Sequence, residues 1–222
     1  MIESNHLDKT ESTVKIMFMT KHIITLLCLL FLLMGCATNK TIEQSQPAVN
    51  QSKAARFEKI TRIQQWQIKG KIAFLQKQKR ESASLFWQYN QNNAQQTLKL
   101  TTYLGINVLT LNTDNGKHSV KVDGESYQSD NLEQLIYSLT GLLLPTKALH
   151  YWLKGQIYSA ADTITYDKQS QLPNTLTSYY QGNTWRISYK KYQTVDDVQL
   201  AHQISIKQND LTIKIIINHW KL

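Results

Sequence analysis

From residue 66 onward the chain alternates. In WQIKGKIAF, Trp66, Ile68, Gly70, Ile72 and Phe74 share one face, with Gln67, Lys69 and Lys71 on the other. A period of two puts successive side chains on opposite sides of a strand. ASLFWQY repeats the pattern with Ala83, Leu85, Trp87 and Tyr89. QTLKLTT, NVLTLN and HSVKVDG follow, the last setting His118, Val120 and Val122 against Ser119 and Lys121. Successive short strands with polar outer faces predict an antiparallel meander.

Elsewhere the period lengthens to that of a helix. Between Lys53 and Gln65 the apolar residues Ala54, Phe57, Ile60 and Ile63 recur at helical spacing, predicting an amphipathic helix on the domain edge. Asp130 or Asn131 caps a second helix over LEQLIYSLTG, with Gly141 as its stop. Pro145 opens a third over TKALHYWLKG, and Gly155 ends it. Strand patterns then resume in TLTSYY, NTWRISYKKY, HQISIKQ and LTIKIIIN, with Gln208, Asn209 and Asp210 as a hairpin turn. No repeat at solenoid periods is visible. The expected fold is α+β and mainly β: one antiparallel sheet of roughly ten strands, wide enough to curl, with helices on one side.

One hairpin breaks the rule for its tip. In TTYLGINVLTL the connection between strands should carry Asn, Asp or Gly, which tolerate φ > 0 and water. Gly105 fits, but Leu104 is a bare leucine at a turn.

The N-terminus has a different pattern. Ile23–Met34 is an apolar run behind Lys21 and His22, too short to span a bilayer and of signal-peptide length. It ends in Leu33-Met34-Gly35-Cys36, which resembles a bacterial lipobox, although Met34 replaces the commoner Ala or Ser. Acidic Glu3, Asp8 and Glu11 are unusual ahead of such a run, and Met17 or Met19 gives a conventional start. The only cysteines are Cys28, inside the run, and Cys36. A processed chain therefore keeps no thiol for a disulfide or a metal once Cys36 is acylated. The competing reading is a buried apolar helix with two core cysteines. Residues 37–52, ATNKTIEQSQPAVNQS, have little apolar surface to bury and read as a tether. The organisation expected is a signal peptide over 1–35, a lipidated cysteine and tether over 36–52, and one domain over 53–222. By resemblance to the bacterial sorting rule, Ala37 in place of Asp after the cysteine points to the outer membrane.

Charge and chemistry narrow the classes. The net charge of +9 brings in nucleic acid, a membrane surface or an acidic partner. Apart from Lys77, Lys79 and Arg80, the basic residues are scattered singly, unlike a nucleic-acid footprint, and no nucleic-acid partner is expected. Gly-rich phosphate loops, HExxH, GxSxG and CxxC are absent, so no enzyme activity, metal or cofactor is expected. His118, His150, His202 and His219 lack ligand spacing and read as surface or core-edge residues. Asp196 and Asp197 are adjacent, so on a strand they would face apart, and they read as a solvated loop. Asp123, Gly124 and Glu125 read as a turn. What remains is apolar: Ile72, Phe74, Leu85, Trp87, Leu98, Leu100, Leu109, Leu111, Trp185, Ile187 and the run Ile213–Ile217 face inward. These form either an ordinary core or the lining of a pocket under a curled sheet.

Taken in order behind the lipobox, GKIAF, LFWQY, LGINVLTL, LTGLLLP…ALHYWLKG, NTWRISYKKY and a final strand ending in NHW resemble the LolB family of outer-membrane lipoproteins. The chain departs from the family pattern at Tyr103, where Pro is usual, at Leu142, where Trp is common, and at Gln156-Ile157, where Pro is common. The resemblance implies an incomplete β-barrel with a helical lid over an apolar cavity. It implies a monomer held by Cys36 in the periplasmic leaflet of the outer membrane, receiving acylated lipoproteins from the carrier LolA and inserting them among phospholipids. It places Leu104, with Gly105, at the membrane, and makes Ile72, Phe74, Leu85, Trp87, Leu98, Leu100, Leu109, Leu111, Trp152, Trp185, Ile187, Ile213 and Ile215 candidates for the acyl-chain lining. The alternative is an envelope-assembly lipoprotein that binds another protein through its sheet over a packed core.

Overall fold

The computed structural model describes residues 52–222. The signal run, Cys36 and the tether before Ser52 lie outside the described residues. The order begins with α1 (Lys53–Arg62), β1 (Gln65–Gln76), β2 (Lys79–Asn90), β3 (Gln95–Thr101), β4 (Asn107–Asp114), β5 (Lys117–Val122) and β6 (Glu125–Ser129). Helices α2 (Leu132–Thr140) and α3 (Thr146–Trp152) interrupt. The chain closes with β7 (Thr163–Tyr166), β8 (Pro173–Tyr180), β9 (Asn183–Val195), β10 (Val198–Gln208) and β11 (Leu211–Lys221).

All described strands belong to one antiparallel sheet, ordered β6-β5-β4-β3-β2-β1-β11-β10-β9-β8-β7. It is two meanders joined down the middle, where the first strand pairs with the last from Gln67↔Lys221 to Gln76↔Leu211. The sheet stays open, with β6 and β7 as its edges. Two-residue turns close most hairpins, and their first residues (Lys77, Asn115, Asp123, Gln181, Asp196 and Asn209) all have positive φ. This conformation matches the twist of the flanking strands.

The β1–β11 seam contains a bulge. Opposite Lys69 and Gly70 the register slips past Asn218, an extra residue in β11. Alternation buries Ile213, Ile215 and Ile217 and leaves Ile216 49 % exposed; beyond the slip the inward parity shifts by one, so Trp220 is buried in place of His219. Lys214 and Ile216 are the members of the predicted inward run that point to solvent. Gly70 is required at this seam, because a Cβ there would overlap the Ile216 carbonyl.

Three expectations need correction. The sheet has two more strands than the sequence pattern delineates; β6 and β7 are short, mostly exposed edge strands without strong alternation. Helix α1 does not present Ala54 and Phe57 to the core. Phe57 is 55 % exposed and Arg56 is buried. The Arg56 guanidinium donates to the carbonyls of Gln199 (3.1 Å) and Lys154 (2.9 Å), so its burial is compensated by hydrogen bonds. His202 also lies deeper than a surface or core-edge position implies, buried against the Ile217 carbonyl, whereas His150 is half-buried at the core edge, in the aromatic cluster described below.

Apolar packing divides into two clusters. The larger gathers β1, β2, β8–β11 and α3 around Ile68, Trp152, Leu153, Ile187, Ile204 and Ile206. The smaller holds Leu111 and Val120 of β4–β5 against Leu132 and Leu135 of α2.

Candidate functional site: an apolar cavity under the helices

Between the two clusters lies a cavity of about 570 Å³. Its floor is the inner face of the sheet: Ile72 and Phe74 of β1, Trp87 of β2, Leu98 and Leu100 of β3, Leu109 and Leu111 of β4, and Ile213 and Ile215 of β11. Strand alternation aims all of these to one side. The cover comes from α2, through Leu132, Ile136 and Leu139, and from Leu142, Leu144 and Leu149 around the start of α3. Asn131 caps α2 by accepting from the Gln134 N–H, and Gly141 stops it with φ 69°. The helix is thereby held at the length that covers the opening.

Four of the expected lining residues are elsewhere. Leu85, Trp152, Trp185 and Ile187 are buried in the larger cluster and do not line the cavity. The reason is α3. Trp152 fills the space above β9, its ring 5.9 Å from that of Trp185. Conversely, Leu132, Ile136 and Leu139 line it without being among the residues the sequence marks, although their i, i+4, i+7 spacing defines one helix face. Ile206 and Leu211 also line it.

Trp87 and Gln96 of the lining are backed by an aromatic cluster held by a polar chain. Trp66 meets Trp87 edge-on at 5.2 Å, and His150 stacks on Tyr89 at 3.9 Å. The Gln96 amide oxygen accepts from Trp87 Nε1 at 3.1 Å and from His150 Nε2 at 3.2 Å, and its Nε2 donates to Thr113 Oγ1 at 3.2 Å. Thr113 in turn shares a hydrogen bond with His118. These bonds satisfy a buried amide and tie α3 to β3. Burial, with Lys154 nearby, pulls the His150 imidazole down to about 3. Lys154 itself, donating to the Ile63 carbonyl, is brought down to about 8 by burial.

The β3–β4 connection stands away from this packing. Tyr103, Leu104 and Ile106 are 98 %, 81 % and 61 % exposed. The loop is nevertheless fixed: the Thr102 N–H donates to the Ile106 carbonyl at 2.8 Å, and the Gly105 N–H to the Thr102 carbonyl at 3.0 Å. Gly105 takes φ 81° at the turn. Antiparallel pairing puts this loop at the same end of the sheet as the β1–β2 and β5–β6 turns. Gln76, Lys79, Glu81 and Asp123, at or beside those two turns, form a polar part of the lining.

Asp196 and Asp197 are the two turn residues between β9 and β10, and Asp197 pairs with Lys59 at 2.7 Å. Among the described residues no group of three or more His, Cys, Asp or Glu is placed to hold a metal ion. Among the same residues, no helix is long and apolar enough to cross a membrane.

The sheet is similar to that of a LolA superfamily protein from Nitrosomonas europaea, with a TM-score of 0.50 at 8 % identity over 78 % of this chain and 94 % of that one. In sequence, a protein of Aeromonas salmonicida named outer-membrane lipoprotein LolB is 33 % identical over 202 residues, 90 % of this chain and 96 % of its own. One of the same name from Tolumonas auensis is 30 % identical over 209 residues, covering 93 % and 99 %. The family model described as outer membrane lipoprotein LolB matches residues 64–220, all of the sheet but its last residue and both covering helices. The chain belongs to the LolB family of outer-membrane lipoproteins.

Proposed function

We propose that this protein is anchored through Cys36 in the periplasmic leaflet of the outer membrane, accepts acylated lipoproteins from the carrier LolA and inserts them into that membrane. The observation that carries this reading is an apolar cavity, roofed by helices, on a sheet that also presents a fixed and exposed leucine tip. Burying acyl chain is worth about 0.8 kcal/mol per methylene. A protein that moves such chains through water must therefore offer a comparably apolar site, and the sheet floor and α2 roof supply one. No nucleotide is needed if each acceptor binds the chain more tightly than the donor, the membrane being last. Leu104 serves the last step: the bilayer is the solvent in which an exposed leucine costs nothing.

Transfer of a radiolabelled lipoprotein from purified LolA to this protein, then to liposomes, tests the proposal. Cargo should move in both steps without ATP. Cargo that stays on LolA overturns it.

A further inference from the structure

A single carboxylate bridges the two sides of the cavity. Glu133 lies in the first turn of α2, between Leu132 and Leu135 of the smaller cluster. Its Oε1 accepts from the Tyr180 hydroxyl at 2.8 Å and from Thr146 Oγ1 at 3.4 Å, and its Oε2 accepts from Gln181 Nε2 at 2.8 Å. Tyr180 is seated in the aromatic packing of the other side, 6.4 Å from the Trp152 ring and 5.6 Å from that of Tyr158. Burial and the bond to Glu133 both raise its phenol above the ordinary value.

Size makes this bridge matter. A methylene takes roughly the volume of a water molecule, ~30 Å³, so a palmitoyl chain needs ~500 Å³. The cavity of about 570 Å³ is on the scale of one such chain. The cysteine head of a bacterial lipoprotein carries more than one. Widening through the sheet would break ladder hydrogen bonds along whole strands, whereas α2 reaches the larger cluster's side through Glu133 and the short link to α3.

We propose that Glu133 is a positioning residue that sets the cavity's width. With its bonds to Tyr180 and Gln181 made, the cavity admits one acyl chain. With them released, α2 yields and a multi-chain cargo enters. The proposal rests on the cavity being the acyl site.

The test offers two photo-crosslinkable ligands from liposomes to the full-length chain, a palmitic acid and a synthetic triacylated lipopeptide. Tyr180→Phe combined with Gln181→Ala removes two donors without touching the lining. Lipopeptide uptake should quicken at least about fivefold, the scale of a lost hydrogen bond. Palmitate uptake should stay within about twofold, and amide exchange over 132–140 should rise. Unchanged rates for both ligands overturn the proposal. So does joint loss of both with a lowered unfolding midpoint, which would make the bridge a plain structural bond. Wild-type protein that takes up neither ligand overturns the acyl-site reading and this proposal with it, whereas palmitate uptake with unaltered lipopeptide kinetics defeats only the latter.

Discussion

Gly70 and His150 show how single residues hold this architecture. Replacing Gly70 by Ala puts a methyl group into the Ile216 carbonyl at the strand seam joining the two meanders. Overpacking of this kind costs about 1–3 kcal/mol. The midpoint of urea unfolding should fall by a corresponding amount, and an unshifted midpoint would mean that the seam adjusts freely. His150 makes stability depend on pH. Its ordinary value of 6.5 drops to about 3 in the fold, so below pH 6.5 the unfolded chain takes up a proton that the native protein refuses. The neutral ring's contribution is complete above 6.5 and is lost as the pH falls towards 3, at up to about 1.4 kcal/mol per pH unit. Burial lowers His118 and His202 as well, in the same sense. Unfolding midpoints at pH 7.5 and 5.0 should therefore separate clearly in the wild type and less in His150→Gln. Equal separations would assign the acid sensitivity to other groups. None of this is legible in the sequence, where His150 is one unspaced histidine. What matters is Tyr89 and Gln96, more than fifty positions away, against which α3 packs.

Regular elements were more legible, for reasons visible in the pattern. Long strands with one buried face, such as β1, β2 and β11, declare themselves by alternation, and two-residue turns by Asn, Asp and Gly. Edge strands β6 and β7 bury almost nothing, so selection for alternation is missing there and the sequence does not mark them. Helix α1 misleads because its stripe of apolar letters includes Phe57, while the core side is occupied by the stem of Arg56, whose charge is met by carbonyls from distant elements. The cavity was legible in part: the sheet floor follows from parity, but parity cannot say that α3 fills the space above β9 and leaves that above β3 and β4 empty. The β3–β4 hairpin gives the element-scale prediction. Leu104 is 81 % exposed, so Leu104→Glu should move the melting temperature little, since exposed substitutions stay within about ±0.5 kcal/mol. Acceptance of cargo from LolA should survive. Delivery should fail, because a carboxylate enters the acyl region only at a cost of several kcal/mol or by taking up a proton. Loss of loading and delivery together, with lowered stability, would return Leu104 to a structural role.

At the scale of the whole molecule the dominant quantity is charge. The chain carries 25 Lys and Arg against 16 Asp and Glu, a net +9. Two cations, Lys59 and Lys117, are seen in ion pairs among the described residues. Among the described residues many of the others are spread over outer strand faces, as Lys69 and Lys71 are on β1. A charge so dispersed does not build one tight contact, since an exposed ion pair is worth about 0–1 kcal/mol. It does give the molecule a long-range field, which raises the rate of encounter with an acidic partner and discourages like-charged ones. A carrier that releases its cargo to this protein must meet it often and part from it easily, and steering supplies the first without preventing the second. If the field acts in this way, association with LolA should slow markedly between low and high salt, because the Debye length shrinks from ~30 Å at 0.01 M to ~8 Å at physiological strength. Dissociation should change much less, being set by short-range contacts. Stopped-flow measurement of both rate constants across that range decides the matter: an association rate that ignores salt removes the charge from recognition, and a salt effect confined to dissociation would place it in the contact itself.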